Sequence, residues 1–166
     1  MTTTQILDRI VQEQGAMVKR IASSYEANPH LVEELVQDIY LAIWRALPSF
    51  RGDSQLRTFV AHIATNRAVT HVKRALKLPA SLEVSEDIPT PGGDGPESRA
   101  IALDEQTKLT SAVRRLPLPY RQTAILTLEG LTPREIADVL GITPNAVSIR
   151  MVRAKELLRT LIGDKS

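Results

Sequence analysis

The stretch from Pro79 to Ser98, PASLEVSEDIPTPGGDGPES, holds seven prolines and glycines among twenty residues, and most of the others are serine or acidic. Prolines at 89, 91 and 96 deny it a helix, and its few apolar groups cannot make a core. It reads as a flexible acidic linker, extended or disordered, between residues 1–78 and residues 99–166. At about 3.3 Å per residue it reaches up to roughly 65 Å. The alternative, a surface loop inside one domain, is uncommon at that length. The chain is therefore read as two small domains.

Charge divides at the same places. Residues 1–78 carry ten lysines and arginines against seven acids, residues 79–98 carry five acids and no base, and residues 99–166 carry eleven bases against seven acids. Two basic segments flanking an acidic spacer suggest an anionic partner touched at two places.

Whole classes of function drop out. The absence of cysteine excludes a disulfide scaffold, thiolate zinc sites and thiol nucleophiles. No apolar run approaches the roughly 20 residues that span a bilayer. The start, Met1-Thr-Thr-Thr-Gln-Ile, has no basic stretch leading into an apolar one. A cytoplasmic protein without membrane insertion is the expectation. Histidines at 30, 62 and 71 are scattered, and no metal-ligand spacing occurs. Gly92-Gly-Asp-Gly95 lacks the Lys-Ser/Thr and helix of a phosphate loop. No catalytic site, metal or cofactor is expected.

Both halves show helical periodicity and neither shows sustained alternation, so the fold class is all-α. Ile6, Ile10, Met17, Ile21 and Tyr25 recur at helical spacing, with Gly15 as a candidate break. A second helix over about 31–47 puts Val32, Leu35, Ile39, Ile43 and Ala46 on one stripe, with Pro29 before it and Pro48 ending it. A turn, Ser49-Phe-Arg-Gly-Asp-Ser54, leads into a third helix over about 55–76. Its expected buried stripe is Phe59, Ile63, Val72 and Leu76, with Leu56 and Val60 alongside.

The carboxy-terminal half carries the strongest local signal. Thr132-Pro133-Arg134-Glu135 is a capping box with proline at the first helical position. Its helix runs through Ile136, Ala137 and Leu140 to Gly141. Thr143-Pro144 then starts a second helix, whose apolar stripe is Val147, Met151, Ala154, Leu158 and Leu161. A short helix, a glycine turn and an amphipathic helix make a helix-turn-helix. Asn145, Ile149 and Val152 turn away from the core stripe, flanked by Ser148 and Arg153. Such outward residues face base edges in a major groove: Asn145 suits adenine, and Ile149 or Val152 suits a thymine methyl. Arg150, Arg153, Lys155 and Arg159 suit phosphates. An ordinary helical hairpin with a solvated basic face is the plainer reading.

Five of the six aromatics precede residue 60, namely Tyr25, Tyr40, Trp44, Phe50 and Phe59. Aromatics beside a basic groove hold single-stranded nucleic acid. The third helix offers His62, Asn66, Thr70, Lys73 and Lys77 on one face, with Arg67, His71 and Arg74 beside them. The same aromatics would also fill a helical core, Trp44 and Phe59 especially. His62 and His71 read as exposed or phosphate-facing. The second helix has its own polar face, Glu33, Glu34, Gln37, Asp38 and Arg45 with Leu41 among them, which is either solvated or a protein-docking surface.

The run ELVQDIYLAIWRALPSFRGDSQLRTFVAHIATNRAVTHVKR (34–74) resembles regions 2.2 to 2.4 of extracytoplasmic-function sigma factors of the sigma-70 family. RRLPLPYRQTAILTLEGLTPREIADVLGITPNAVSIRMVRAKELL (114–158) is similar to their region 4, and Ile6 to Asn28 resembles region 2.1. The resemblance implies a specificity subunit of bacterial RNA polymerase, with no bond chemistry of its own. It assigns Glu33, Glu34, Gln37, Asp38 and Leu41 to docking on the β′ clamp helices of core polymerase, with the β flap as a further contact. It implies that Phe50, Arg51, Asp53, Ser54, His62, Asn66, Arg67, Thr70, Lys73, Arg74 and Lys77 open and hold the −10 promoter DNA, Asn66 at the extruded base. It assigns Arg134, Thr143, Asn145, Ser148, Ile149, Arg150, Val152 and Arg153 to the −35 duplex. The linker would thread toward the RNA channel, and an anti-sigma factor becomes a candidate partner. With no further domain after Ser166, control by a fused module is not expected.

The chain departs from the family pattern in two places. Phe59-Val60 stands where Trp then Leu is usual, and Ala146-Val-Ser-Ile-Arg150 stands where TV-[KR]-S-R is usual. No −35 consensus is carried over. The remaining alternative is a helix-turn-helix regulator that binds duplex operators as a dimer without polymerase.

Overall fold

The computed structural model describes residues 2–50, 52, 55–90 and 105–163. The expectations at Arg51, Asp53 and Ser54, and for 91–98, lie outside the described residues. Regular structure among the described residues is helical throughout: α1 (Thr3–Ser23), α2 (Pro29–Ala46), a 3₁₀ turn (Leu47–Ser49), α3 (Leu56–Ala75), α4 (Glu105–Arg114), α5 (Leu118–Leu128), α6 (Pro133–Leu140) and α7 (Pro144–Gly163). The chain divides into two units, Met1–Ala80 and Ser81–Ser166.

In the first unit α1, α2 and α3 pack pairwise against one another. Thr2 opens α1 with a capping box, its hydroxyl accepting from the Gln5 amide while the Gln5 side chain accepts from the Thr2 amide. Asn28 caps α2 and Pro29 is its first residue, so the helix begins two residues before the expected start. Gly15 does not break α1. A Cβ there would stand 3.1 Å from the Tyr40 hydroxyl, so glycine lets α2 approach α1 at that level. The core gathers Ile10, Met17, Val18 and Ile21 from α1 with Val32, Leu35, Ile39 and Ile43 from α2.

The α3 stripe differs from expectation. Its buried line is Val60, Ala61, Ala64, Thr65, Ala68, Val69 and Val72, whereas Phe59, Ile63 and Leu76 sit at the margin. α3 faces two helices at once, so its central line is filled by small residues that permit close approach, and the large ones fill the edges. Trp44 is not in the core either: it is 49% exposed on α2.

In the second unit α7 packs against each of α4, α5 and α6. The helix-turn-helix follows from local chemistry. The capping box of Thr132 and Glu135 starts α6, Gly141 ends it in the left-handed region at φ 68°, and the Thr143 hydroxyl accepts from the Ala146 amide to start α7. Val147 and Ala154 are buried, with Leu158 and Leu161 packed at the core's edge. α5 is enclosed along nearly its whole length, polar residues included. Arg121 is 1% exposed, and its guanidinium donates from Nε and Nη2 to the Leu116 carbonyl at 3.2 and 3.0 Å.

The described part of the Pro/Gly-rich segment is not simply extended. Residues 81–90 group with the second unit, and Ile88 is 4% exposed. Burying one isoleucine stabilises by roughly 1.5–3 kcal/mol, which offsets part of the entropy lost in ordering the segment.

Candidate nucleic-acid and protein interfaces

Helix spacing spreads the polar residues of α3 over two environments. His62, Asn66 and Arg74 are exposed on the outer face, and Thr70 is half-buried there with its hydroxyl donating to the Asn66 carbonyl; Lys77, expected on the same face, is exposed beyond the end of the helix at φ 56°. Phe50 and Phe59 close one end of this face, their rings 4.6 Å apart and tilted by 41°. Both are half-buried, so they form an aromatic pair at the surface rather than core filling. Lys73 leaves the set: it is 8% exposed, and its ammonium donates to the Ala80 carbonyl at 3.1 Å, where it secures the chain leaving α3.

Arg67 and His71 turn toward acids rather than outward. The Arg67 guanidinium donates to Asp38 of α2 at 2.7 Å, and His71 Nε2 lies 2.8 Å from Glu26 in the α1–α2 connection. Asp38, Arg67 and His71 line a groove of about 220 Å³ together with Glu34, Leu35 and Arg74. Asp38 therefore belongs partly to the α2–α3 packing, unlike its neighbours in the acidic stripe. Glu33, Glu34, Gln37 and Leu41 are exposed. Trp44 lies on that face as well, three residues beyond Leu41, and it was missing from the expected set. Its i, i+3 relation to Leu41 was a signal in the sequence. An apolar pair rimmed by acids and amides is the composition of a protein-docking surface.

In the second unit α7 presents Asn145, Ser148, Ile149, Val152 and Arg153 to solvent, with Arg150 half-buried; Arg134 of α6 and Thr143 are exposed beside them. Ile149 and Val152 are 62% and 61% exposed, one turn apart on the face opposite Val147 and Ala154. Two branched apolar side chains held out on an otherwise basic helix suit a major groove rather than water. The Ser148 hydroxyl donates back to the Pro144 carbonyl at 3.3 Å, and Arg153 pairs with Glu156 at 3.3 Å.

A contact that sequence reading did not find joins the acidic segment to this unit. The Tyr120 hydroxyl, at the start of α5, donates to the Glu86 carboxylate. Glu86 holds the Tyr120 pKa above its ordinary 10.0, burial adds to the rise, and the Arg153 guanidinium pulls against it. No group of three or more potential metal ligands occurs among the described residues, and no described helix is long and apolar enough to cross a membrane.

Residues 10–77 match the family model of sigma-70 region 2, and residues 106–158 match that of sigma-70 region 4. The chain is 31% identical to the RNA polymerase sigma factor NccH of Alcaligenes xylosoxydans xylosoxydans, over 93% of this chain and 85% of that protein. It is 31% identical to the ECF RNA polymerase sigma factor ShbA of Streptomyces griseus, over 80% of this chain and 72% of the other. Among solved structures, the sigma factor RpoE of Bartonella quintana, crystallised with the anti-sigma factor NepR, superposes with a TM-score of 0.71 at 19% identity, over 96% of this chain and 97% of that one.

Proposed function

The chain belongs to the extracytoplasmic-function group of sigma-70 factors, and from that premise we propose that it works in the cytoplasm as an alternative sigma factor, binding core RNA polymerase, recognising −10 and −35 promoter elements and opening the −10 DNA. The observation that carries this reading is the presence of both matched regions, in order, on one chain. A repressor that reads duplex operators needs the helix-turn-helix and has no use for the first unit.

The work divides by unit. On α2, Glu33, Glu34, Gln37, Leu41 and the exposed Trp44 dock on the β′ clamp helices, and Asp38 positions Arg67 from the edge of that surface. On α3, Asn66 takes the extruded −10 base. His62, Thr70, Arg74 and Lys77 follow the single strand, and the Phe50–Phe59 pair stacks at its end. On α7, Asn145, Ile149 and Val152 read the −35 duplex, while Arg134, Thr143, Ser148, Arg150 and Arg153 fix its backbone. Core polymerase supplies the reaction, and this chain supplies the address and traps the melted strand. Two modest sites on one chain gain avidity once both engage. The β flap and an anti-sigma factor are the further partners that family membership suggests.

Reversing two exposed charges tests the docking surface. The double variant Glu33→Lys, Glu34→Lys is expected to weaken core binding by about tenfold or more in competition against wild type. Asp38 is left intact because a lysine there would face Arg67 and disturb packing. Equal competition would mean that the acidic stripe is merely solvated. For the duplex surface, Arg153→Ala is expected to weaken binding to all −35 sequences alike and to reduce the salt slope by about one. Relaxed discrimination at a single base pair would instead make Arg153 a base reader.

A further inference from the structure

The exposed apolar groups of α7 are gathered where the duplex is expected. Ile149 and Val152, at 62% and 61% exposed, are the two most open large apolar side chains among the described residues. They lie three residues apart, a rise of about 4.5 Å, with Cβ atoms about 5–6 Å apart. Both are β-branched and therefore stiff, so their methyl groups stand in fixed directions. At 3.6 residues per turn, Arg153 flanks this pair on one side and Lys155 and Arg159 on the other, all exposed. Glu156 lies on the line of the pair, about a turn beyond Val152, and pairs with Arg153 at 3.3 Å, so the strip ends there. Ser148 turns its hydroxyl back to the Pro144 carbonyl at 3.3 Å. Between its cations the helix therefore offers bases two apolar surfaces and the Asn145 amide, which is exposed a turn earlier.

We propose that α7 is a reader of 5-methylpyrimidines: Ile149 and Val152 close on the C5 methyl groups of pyrimidines in adjacent base pairs of the −35 element, whether the ring is thymine or 5-methylcytosine. The proposal rests on the reading of α7 as the duplex-binding helix. Adjacent base pairs stack about 3.4 Å apart, a step that side chains at i and i+3 can cover. The methyl of 5-methylcytosine stands at the same place in the major groove as that of thymine. The two rings differ at position 4, an oxygen acceptor in thymine and an amino donor in cytosine. A branched apolar side chain makes no hydrogen bond, so it registers the methyl and not the group beside it. An amide such as that of Asn145 both donates and accepts, so it can turn to match either neighbour. Methylation of a cytosine at such a step therefore strengthens the site, and its removal weakens it. Because the contact carries no charge, the discrimination persists at salt concentrations that weaken the phosphate contacts of the arginines.

The test uses the full chain assembled with bacterial core RNA polymerase, which selects duplexes from a random pool. Affinity for the selected duplex, labelled with fluorescein, is read by anisotropy. Each thymine is replaced in turn by deoxyuridine, which removes only the C5 methyl. At two neighbouring upstream positions this is expected to weaken binding about fourfold each. Replacing T·A by C·G at one of them is expected to weaken binding as well, and 5-methylation of that cytosine to restore about fourfold. Ile149→Ala is expected to make one of the two positions indifferent to the methyl, and Val152→Ala the other. Alanine is the stronger helix former, so α7 stays intact in both. Deoxyuridine without effect at every upstream position, or with the same effect in both alanine variants, would overturn the methyl reading and leave the −35 assignment standing. So would a methylated cytosine that bound no better than cytosine. A complex that selected no upstream element would remove the −35 assignment, and the methyl reading with it.

Discussion

Replacing Arg121 by alanine is expected to lower the stability of the second unit by about 3–5 kcal/mol. The guanidinium is enclosed at 1% exposure and donates twice to the Leu116 carbonyl, which leads into α5. Losing the donor leaves a buried carbonyl unpaired, at a cost of about 1–3 kcal/mol. Losing the long buried stem opens a cavity in the interior, which adds about 2 kcal/mol or more. Arg121→Met fills the space and keeps only the first penalty, so it is expected to cost about half as much. A unit of this size has a total stability of roughly 4–10 kcal/mol, so the alanine variant stands close to unfolding. Hydrogen exchange read by mass spectrometry should show protection lost through α5–α7 and kept in α1–α3. Full protection of α5 in the alanine variant would mean that the arginine contributes nothing to the fold.

Asn66→Ala should separate function from folding on α3. Asn66 is exposed, and its backbone carbonyl accepts the Thr70 hydroxyl, a contact that alanine retains. Alanine is also the better helix former by roughly half a kcal/mol, so stability is expected to hold or rise slightly. Promoter opening is expected to fall about 10- to 100-fold, because an amide that hydrogen-bonds a base edge contributes about 1–3 kcal/mol of the free energy that holds the base out of the stack. Permanganate reactivity of −10 thymines, measured with core polymerase bound to equal extent, reads this directly. Wild-type reactivity would remove Asn66 from the melting machinery.

Where the sequence was readable, the determinants were local. Thr132, Pro133 and Glu135 fix one helix start, Thr143 and Pro144 the next, and Gly141 the turn between them, each acting within four residues of itself. The side chains whose pairing within the fold the sequence does not reveal have partners far along the chain. Arg67 and Asp38 are 29 residues apart, and His71 and Glu26 are 45 apart, so nothing near either arginine or histidine distinguishes a paired side chain from one awaiting phosphate. α5 is enclosed on nearly every side and therefore shows no amphipathic stripe, which is why its limits went unread. On α3 the alanines mark the tightest packing and the large apolar residues only its border. Ile88 is a lone apolar residue among prolines and acids, and only the fold shows where such a residue goes.

The most direct test of the account is reconstitution of this chain with bacterial core RNA polymerase on fragmented genomic DNA, with transcript starts sequenced. The account predicts association with core and initiation at discrete sites that share two upstream elements, the nearer one melted. Failure to associate with core, together with specific binding to palindromic duplexes as a dimer, would contradict it and make the chain an operator-binding regulator.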